Sequence, residues 1–190
     1  MSDLAGRADR TWAPAEIDRV ARSVRRQIWP EAGLLERVDV DRLAATPHTV
    51  VGPRGRILVL LVHHRGLPAH RWLEAHAVGD GVLLHANAAS WREILDGHPR
   101  TRFGVAHELG HAVLHTPQLR DFAAGPPLER DDTVEREANR FAACLLAPAD
   151  ALREAVRLRL DCSPEGVAER WGLGSATARA RLQEVAISTA

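Results

Sequence analysis

The chain has 190 residues, and its 25 basic and 25 acidic side chains give a formal net charge of zero at pH 7. With 45% hydrophobic residues, this is the composition of a one-domain globular protein, and two cysteines give no disulfide framework. The zero net charge argues against binding to nucleic acid or an anionic membrane through a whole-surface field. All basic residues are arginine and tyrosine is absent, which excludes lysine and phenol side chains from catalysis.

No segment has the pattern of a membrane helix or of a signal peptide. The longest aliphatic run, residues 57–62, is far shorter than the roughly 20 residues that span a bilayer. The first ten residues alternate charges and lack an apolar stretch. We therefore expect a cytoplasmic protein without a membrane-embedded segment.

The first predicted element is an amphipathic helix over residues 14–28, in which apolar residues recur at helical spacing. In residues 56–87 the helical spacing gives way to short apolar runs, which predict a small, mainly antiparallel sheet. Its strands are expected at residues 56–63, 71–78 and 82–86. The sheet precedes the most informative part of the chain.

The second half of the chain is expected to be helical. A helix is predicted from Thr101 towards Pro117, and a loop rich in proline, glycine and charge, residues 116–131, follows it. Further helices are expected at residues 132–146, 149–159, 164–171 and 175–186. A sheet followed by helices, without regular alternation, predicts an α+β fold. We expect one domain over residues 1–190, with metal-binding helices in 101–148 and a helical tail in 149–190.

The strongest motif is His-Glu-x-x-His, formed by His107, Glu108 and His111. At 100° per residue, the three side chains share one helical face, and apolar residues occupy the opposite face. Two histidines four residues apart can bind one metal ion, and the glutamate between them is typical of a general base. The motif predicts a metal centre that faces a cleft.

A catalytic zinc site requires a third protein ligand and an open position for water. A third histidine six residues after His111 is excluded, because Pro117 occupies that position. The alternative is a glutamate on the next helix, where Glu135 and Glu137 lie on opposite flanks of the apolar stripe. We predict Glu135, because Asn139 lies one turn further and can orient a histidine ligand. Glu137 is interpreted as a solvated residue near a helix N-terminus.

Four short motifs follow one another between residues 82 and 148. They are Arg102-Phe103, Ala106-His-Glu-Leu-Gly-His111 with Leu114-His115, Glu135-x-x-Ala-Asn139-x-Phe-Ala142 and Leu145-Leu-x-Pro148. In this combination the chain resembles the ImmA/IrrE family of zincin-like metallopeptidases, found in bacteria and mobile elements. The likeness extends to an N-terminal helix, a small sheet before the active helix and a helical tail. The loop between the two ligand helices, residues 118–132, departs from the family. The resemblance therefore does not define the segment that would form a lid over the cleft.

The resemblance implies a zincin-like fold in which His107, His111 and Glu135 bind one Zn²⁺ or another divalent metal ion. It implies Glu108 as the catalytic acid/base and hydrolysis of a peptide bond in a specific protein. Members of the family typically cleave, or are thought to cleave, a repressor with a helix-turn-helix domain, in stress response or mobile-element control. Such a repressor is the expected partner.

His115 is a candidate donor to the oxyanion or a candidate substrate contact, because it is the nearest histidine to the ligands and tyrosine is absent. The competing interpretation is a histidine that caps carbonyl groups at the end of the helix.

The sequence leaves two alternative functions open. One is a regulatory protein that binds its partner on a peptidase fold without cleaving it. The other is a DNA-binding regulator that uses the tail, where two short helices joined by a glycine-containing turn suggest a helix-turn-helix. Residues 151–190 carry six arginines and five acidic residues, which is not the basic face of a DNA reader. Direct binding to nucleic acid is therefore not expected, and the sequence specifies no oligomeric state.

Overall fold

The computed structural model describes residues 11–53, 55–65, 73–78, 81–115 and 132–187. In chain order the elements are α1 (Pro14–Ile28), α2 (Arg42–Ala45), β1 (His48–Gly52), β2 (Gly55–His63), β3 (Leu73–Val78), β4 (Gly81–Ala86), α3 (Ala88–Leu95), α4 (Pro99–Leu114), α5 (Asp132–Leu146), α6 (Ala149–Arg157), α7 (Pro164–Trp171) and α8 (Ser175–Ile187). The predicted α+β class is confirmed. The predicted loop 116–131 and residues 71 and 72 of the predicted second strand lie outside the described residues.

The four strands form one mixed sheet in the order β1-β2-β4-β3. β1 pairs with β2 and β3 pairs with β4 in antiparallel fashion, whereas β2 and β4 are parallel. The prediction of a mainly antiparallel sheet is therefore confirmed, with one parallel pairing inside it. β1 was not predicted, because its sequence, His-Thr-Val-Val-Gly, does not alternate between polar and apolar residues and Val50 is its only buried residue.

Helix α4 is the centre of the fold. Its apolar back packs towards the sheet, and α5 packs along another side of it. Twelve of its residues are consequently buried, among them Glu108 and His111. α1 packs against α5 and β1, so both helices of the predicted metal centre are held by neighbours. No helix in the described part of the chain is both long and apolar enough to cross a bilayer.

Gly110 allows α4 and α5 to approach each other closely. A Cβ atom at this position would lie 3.0 Å from Cδ1 of Phe141 and 3.2 Å from the carbonyl oxygen of Ala138. Both atoms belong to α5, so a side chain on Gly110 would push the two helices apart. The glycine of the His-Glu-Leu-Gly-His motif thus determines how near the face of α5 comes to the two histidines.

Replacement of Gly110 by alanine is expected to lower the free energy of unfolding. Overpacking against Phe141 costs about 1–3 kcal/mol, and the better helix propensity of alanine offsets about 1 kcal/mol of it. Urea denaturation would measure the difference. Because the clash involves Phe141, the double variant Gly110→Ala/Phe141→Leu should lose less than the sum of the two single losses. Strict additivity would contradict this explanation.

Candidate metal centre

The structure brings together His107 and His111 of α4 and Glu135 of α5. The Nε2 atoms of the two histidines are 2.9 Å apart. Oε2 of Glu135 lies 3.2 Å from Nε2 of His107, and Oε1 lies 3.3 Å from Nε2 of His111. Within the described residues, these three side chains form the group of ligand atoms that lie within 4.8 Å of one another and could hold a metal ion.

Helical spacing explains this convergence. His107 and His111 are one turn apart on α4, and their ring centroids are 4.6 Å apart in an edge-to-face arrangement. Glu135 lies in the first turn of α5, which is where the close contact between α4 and α5 places it opposite the histidines. The three donors are two imidazole nitrogens and a carboxylate, a set that suits a divalent transition metal.

Asn139 orients one of the two histidines. Its Oδ1 atom accepts a hydrogen bond of 3.0 Å from Nδ1–H of His107. With the proton on Nδ1, the Nε2 atom of His107 keeps its lone pair, and this atom is the one that faces Glu135. Asn139 is thus placed to fix both the ring orientation and the tautomer of His107.

Glu108 is held by the edge of the sheet. Its Oε2 atom accepts a hydrogen bond of 3.0 Å from the backbone N–H of Ala75, which belongs to β3. The carboxylate lies beside a cavity of about 380 Å³. The lining residues are Leu73, Arg100, Phe103, Gly104, His107, Glu108 and Asn139. A fixed proton acceptor and one of the metal-cluster histidines therefore border the same cavity.

The interpretation of Glu137 as a solvated residue is wrong. Glu137 is 6% exposed, and its Oε1 atom accepts a hydrogen bond of 2.6 Å from the backbone N–H of Trp12. Trp12 precedes α1 and holds this carboxylate, and α1 itself packs against α5. The contact joins residues 125 positions apart, so no local pattern could have revealed it.

His115 also lies in the interior. It is 3% exposed, and its Nε2 atom is 3.4 Å from Oε2 of Glu137. It follows the last residue of α4, and its backbone N–H bonds to the carbonyl of His111. The side chain is not among the residues that line the described cavity. The His115 ring thus faces a buried carboxylate and lies 5.8 Å from the ring of His111, and its role as an oxyanion or substrate contact stays a prediction.

Hydrogen bonds connect the C-terminal helical tail to the start of α4 and to the end of α5. The turn between α7 and α8 contains Gly172, whose φ of +64° is left-handed, and its carbonyl accepts a hydrogen bond of 3.3 Å from Nε of Arg102. Arg181 of α8 is buried, and its Nε donates to the carbonyl of Ala147 at 2.9 Å. One of the six arginines of the tail is therefore used inside the fold and cannot contact a phosphate backbone.

Comparisons with known proteins give one family match and one similar solved structure. Residues 95–183 match the peptidase M78 family, described as the IrrE N-terminal-like domain. A solved structure of a Mycobacterium tuberculosis transcriptional regulator is similar, with a TM-score of 0.50 and 19% identity, over 86% of this chain and 45% of that chain. The likeness concerns the fold, and this chain spans less than half the length of that protein. A comparison with curated proteins finds no significant match.

The family match runs from the end of α3 into α8 and includes both helices of the metal cluster. Peptidase-type hydrolases with a metal centre are the general class of this family. The match confirms the resemblance that the four motifs indicated. Over residues 95–183, this chain is similar to the IrrE N-terminal-like domain, the family that the motifs also resemble.

Proposed function

We propose that the protein is a zinc-dependent metallopeptidase that hydrolyses a peptide bond in a specific protein substrate. The observation that carries this proposal is the spacing of the ligand atoms on three residues. The two histidine Nε2 atoms are 2.9 Å apart, and each lies 3.2 or 3.3 Å from a carboxylate oxygen of Glu135. In a tetrahedral site with bonds of 2.0–2.1 Å, ligand atoms are about 3.3 Å apart. Three protein ligands are also the number that a catalytic zinc uses, because the fourth position is kept for water.

Each residue of the centre has a distinct role in this proposal. His107, His111 and Glu135 hold the metal, and Asn139 keeps His107 in the tautomer that leaves Nε2 free to bind. A bound zinc ion supplies Lewis acidity and lowers the pKa of a water molecule to about 7.

Glu108 acts as the general base and then as the general acid of the proposed reaction. Its carboxylate accepts a proton from the water that attacks the peptide carbonyl carbon and then donates that proton to the departing nitrogen as the C–N bond breaks. The hydrogen bond from Ala75 N–H holds one carboxylate oxygen, Oε2, in place. The sheet thus determines where the proton acceptor stands relative to the peptide.

We propose a helix-turn-helix repressor as the substrate, cleaved in the cytoplasm during stress response or mobile-element control. The similarity of residues 95–183 to the IrrE N-terminal-like domain supports this proposal. The cavity of about 380 Å³ supports an extended segment as the part of the substrate that enters, because it has room for a few side chains only. Free Cys144 and Cys162 suit a reducing compartment.

The third ligand provides the first test. After loading with zinc and dialysis, Glu135→Ala should contain one equivalent of zinc fewer than the wild-type protein, as measured by elemental analysis. The reason is that a site with two remaining histidines loses most of its affinity. Glu169→Ala is the matched control, because Glu169 is an exposed helical glutamate on α7, and it should retain the wild-type content. Equal zinc in Glu135→Ala and wild type would refute the proposed ligand set.

A further inference from the structure

A second group of imidazoles lies on the outer face of the sheet, away from α4. The ring of His85 is in contact with two others, at centroid distances of 5.1 Å to His64 and 4.9 Å to His76. Val82, Leu84 and Ala86 of β4 are buried on the inner face, so His85, which alternates with them, lies on the other side. The three histidines are 9 and 12 residues apart in sequence, which is why no local motif indicated them.

The pairing of the strands brings these rings together. His85 of β4 stands opposite Glu74 of β3, and His76 follows two residues later on the same face. The backbone N–H of His64 bonds to the carbonyl of Ala86 at 2.8 Å and continues the pairing of β2 with β4. Backbone hydrogen bonds therefore fix the three positions, and only the rings need to move.

The preceding residue, His63, belongs to a different contact. Its ring stacks on Trp91 of α3, with centroids 5.5 Å apart and planes 19° apart. His63 and His64 thus make ring contacts with different elements, and only His64 joins the group on β3 and β4. This division separates the cluster from the packing of α3.

The nitrogen atoms of the cluster are in a suitable state for a metal. Oε2 of Glu74 lies 3.0 Å from Nε2 of His76, so an Nε2–H bond to this carboxylate leaves Nδ1 of His76 with its lone pair. Nδ1 of His85 is shielded from solvent and has no hydrogen-bond partner among the described residues.

We propose that His64, His76 and His85 form a second site for a divalent transition-metal ion, with Glu74 as the residue that orients His76. Imidazole nitrogen is a preferred ligand of Zn²⁺, Cu²⁺ and Ni²⁺, and a carboxylate behind a histidine ligand is a common arrangement. The ring of His85 stands edge to face with His76 and is tilted by 59° against His64, and the rings have to turn before their nitrogen atoms come within 4.8 Å of one another. The side chain of His76 is 38% exposed and His64 is exposed, so both have room to do so.

Zinc stoichiometry tests this site without any substrate. Metal-free protein is titrated with Zn²⁺ in a calorimeter, and wild type should bind two equivalents. His76→Ala/His85→Ala should bind one, and combining these changes with Glu135→Ala should abolish both binding events. The control His48→Ala/His98→Ala removes two histidines outside the cluster and should still bind two equivalents, because His48 contacts the carbonyl of Arg42 and His98 precedes α4.

A single substitution distinguishes loss of the second metal site from a folding defect. His64→Ala removes an exposed side chain and should weaken the second binding event by about tenfold or more, with an unchanged circular dichroism spectrum. The proposal is overturned if wild type binds a single equivalent that Glu135→Ala removes, or if His76→Ala/His85→Ala still binds two. The first centre is judged separately, by the equivalent that depends on Glu135.

Discussion

Glu108→Gln is expected to slow peptide hydrolysis by a factor of about 10²–10⁴ and to leave the zinc content unchanged. Glutamine keeps the shape of the side chain and can still accept the hydrogen bond from Ala75 N–H, but it cannot take a proton from water. Because Glu108 is not one of the three clustered ligands, metal binding should be preserved. The measurement compares initial cleavage rates and metal content of the two proteins on the same substrate.

The same variant separates cleavage from binding. Glu169→Gln, on an exposed helical position, should cleave at the wild-type rate and serves as the control. If Glu108→Gln cleaves as fast as wild type, the proton-transfer role is wrong. If wild type binds its partner and neither protein cleaves it, the alternative of a regulatory protein without peptidase activity gains support.

Arg102→Met is expected to lower the free energy of unfolding by about 1–3 kcal/mol. Arg102 is 1% exposed and lies near the start of α4. Its Nη2 atom donates to the carbonyl of Val38 at 2.7 Å, and its Nε donates to that of Gly172 at 3.3 Å. Burial lowers the pKa of this guanidinium to about 10, so the group is still charged at pH 7. Methionine fills similar space but leaves those buried carbonyls without their donor.

Urea denaturation of Arg102→Met should therefore show a clearly lower midpoint than wild type. Arg153→Met is the matched control, because Arg153 is exposed on α6, and it should change the free energy of unfolding by about 0.5 kcal/mol or less. A loss below about 1 kcal/mol for Arg102→Met would mean that the tail does not depend on this contact.

Features that depend on local periodicity could be predicted from the sequence. α1 and α5 have the predicted limits, because their apolar stripes repeat at helical spacing and Pro14 begins the first of them. The same spacing places His107 and His111 on one face. It also selects Glu135 over Glu137, because the two lie on opposite flanks of α5.

Features that depend on long-range contacts could not be predicted. Glu137 is buried by Trp12, which is 125 residues away, and the position of His115 depends on Glu137 in turn. Likewise, the cluster around His85 exists only because β4 lies between β2 and β3, which no pattern within a single strand specifies. Helix α3 was not predicted either, although the sequence contains a local signal for it. Asn87 caps this helix by accepting a hydrogen bond from the N–H of Ser90.

The proposed metal ligands are divided between two helices, and this division couples metal binding to folding. His107 and His111 are in α4 and Glu135 is in α5, so the unfolded chain holds no preformed site. An ion that binds only the native state stabilises it by RT ln(1 + [metal]/Kd), about 2.7 kcal/mol at a free concentration of 100 times Kd. The midpoint of thermal unfolding should consequently rise with metal concentration and fall on chelation. A bound ion would thus stabilise the packing of α4 against α5.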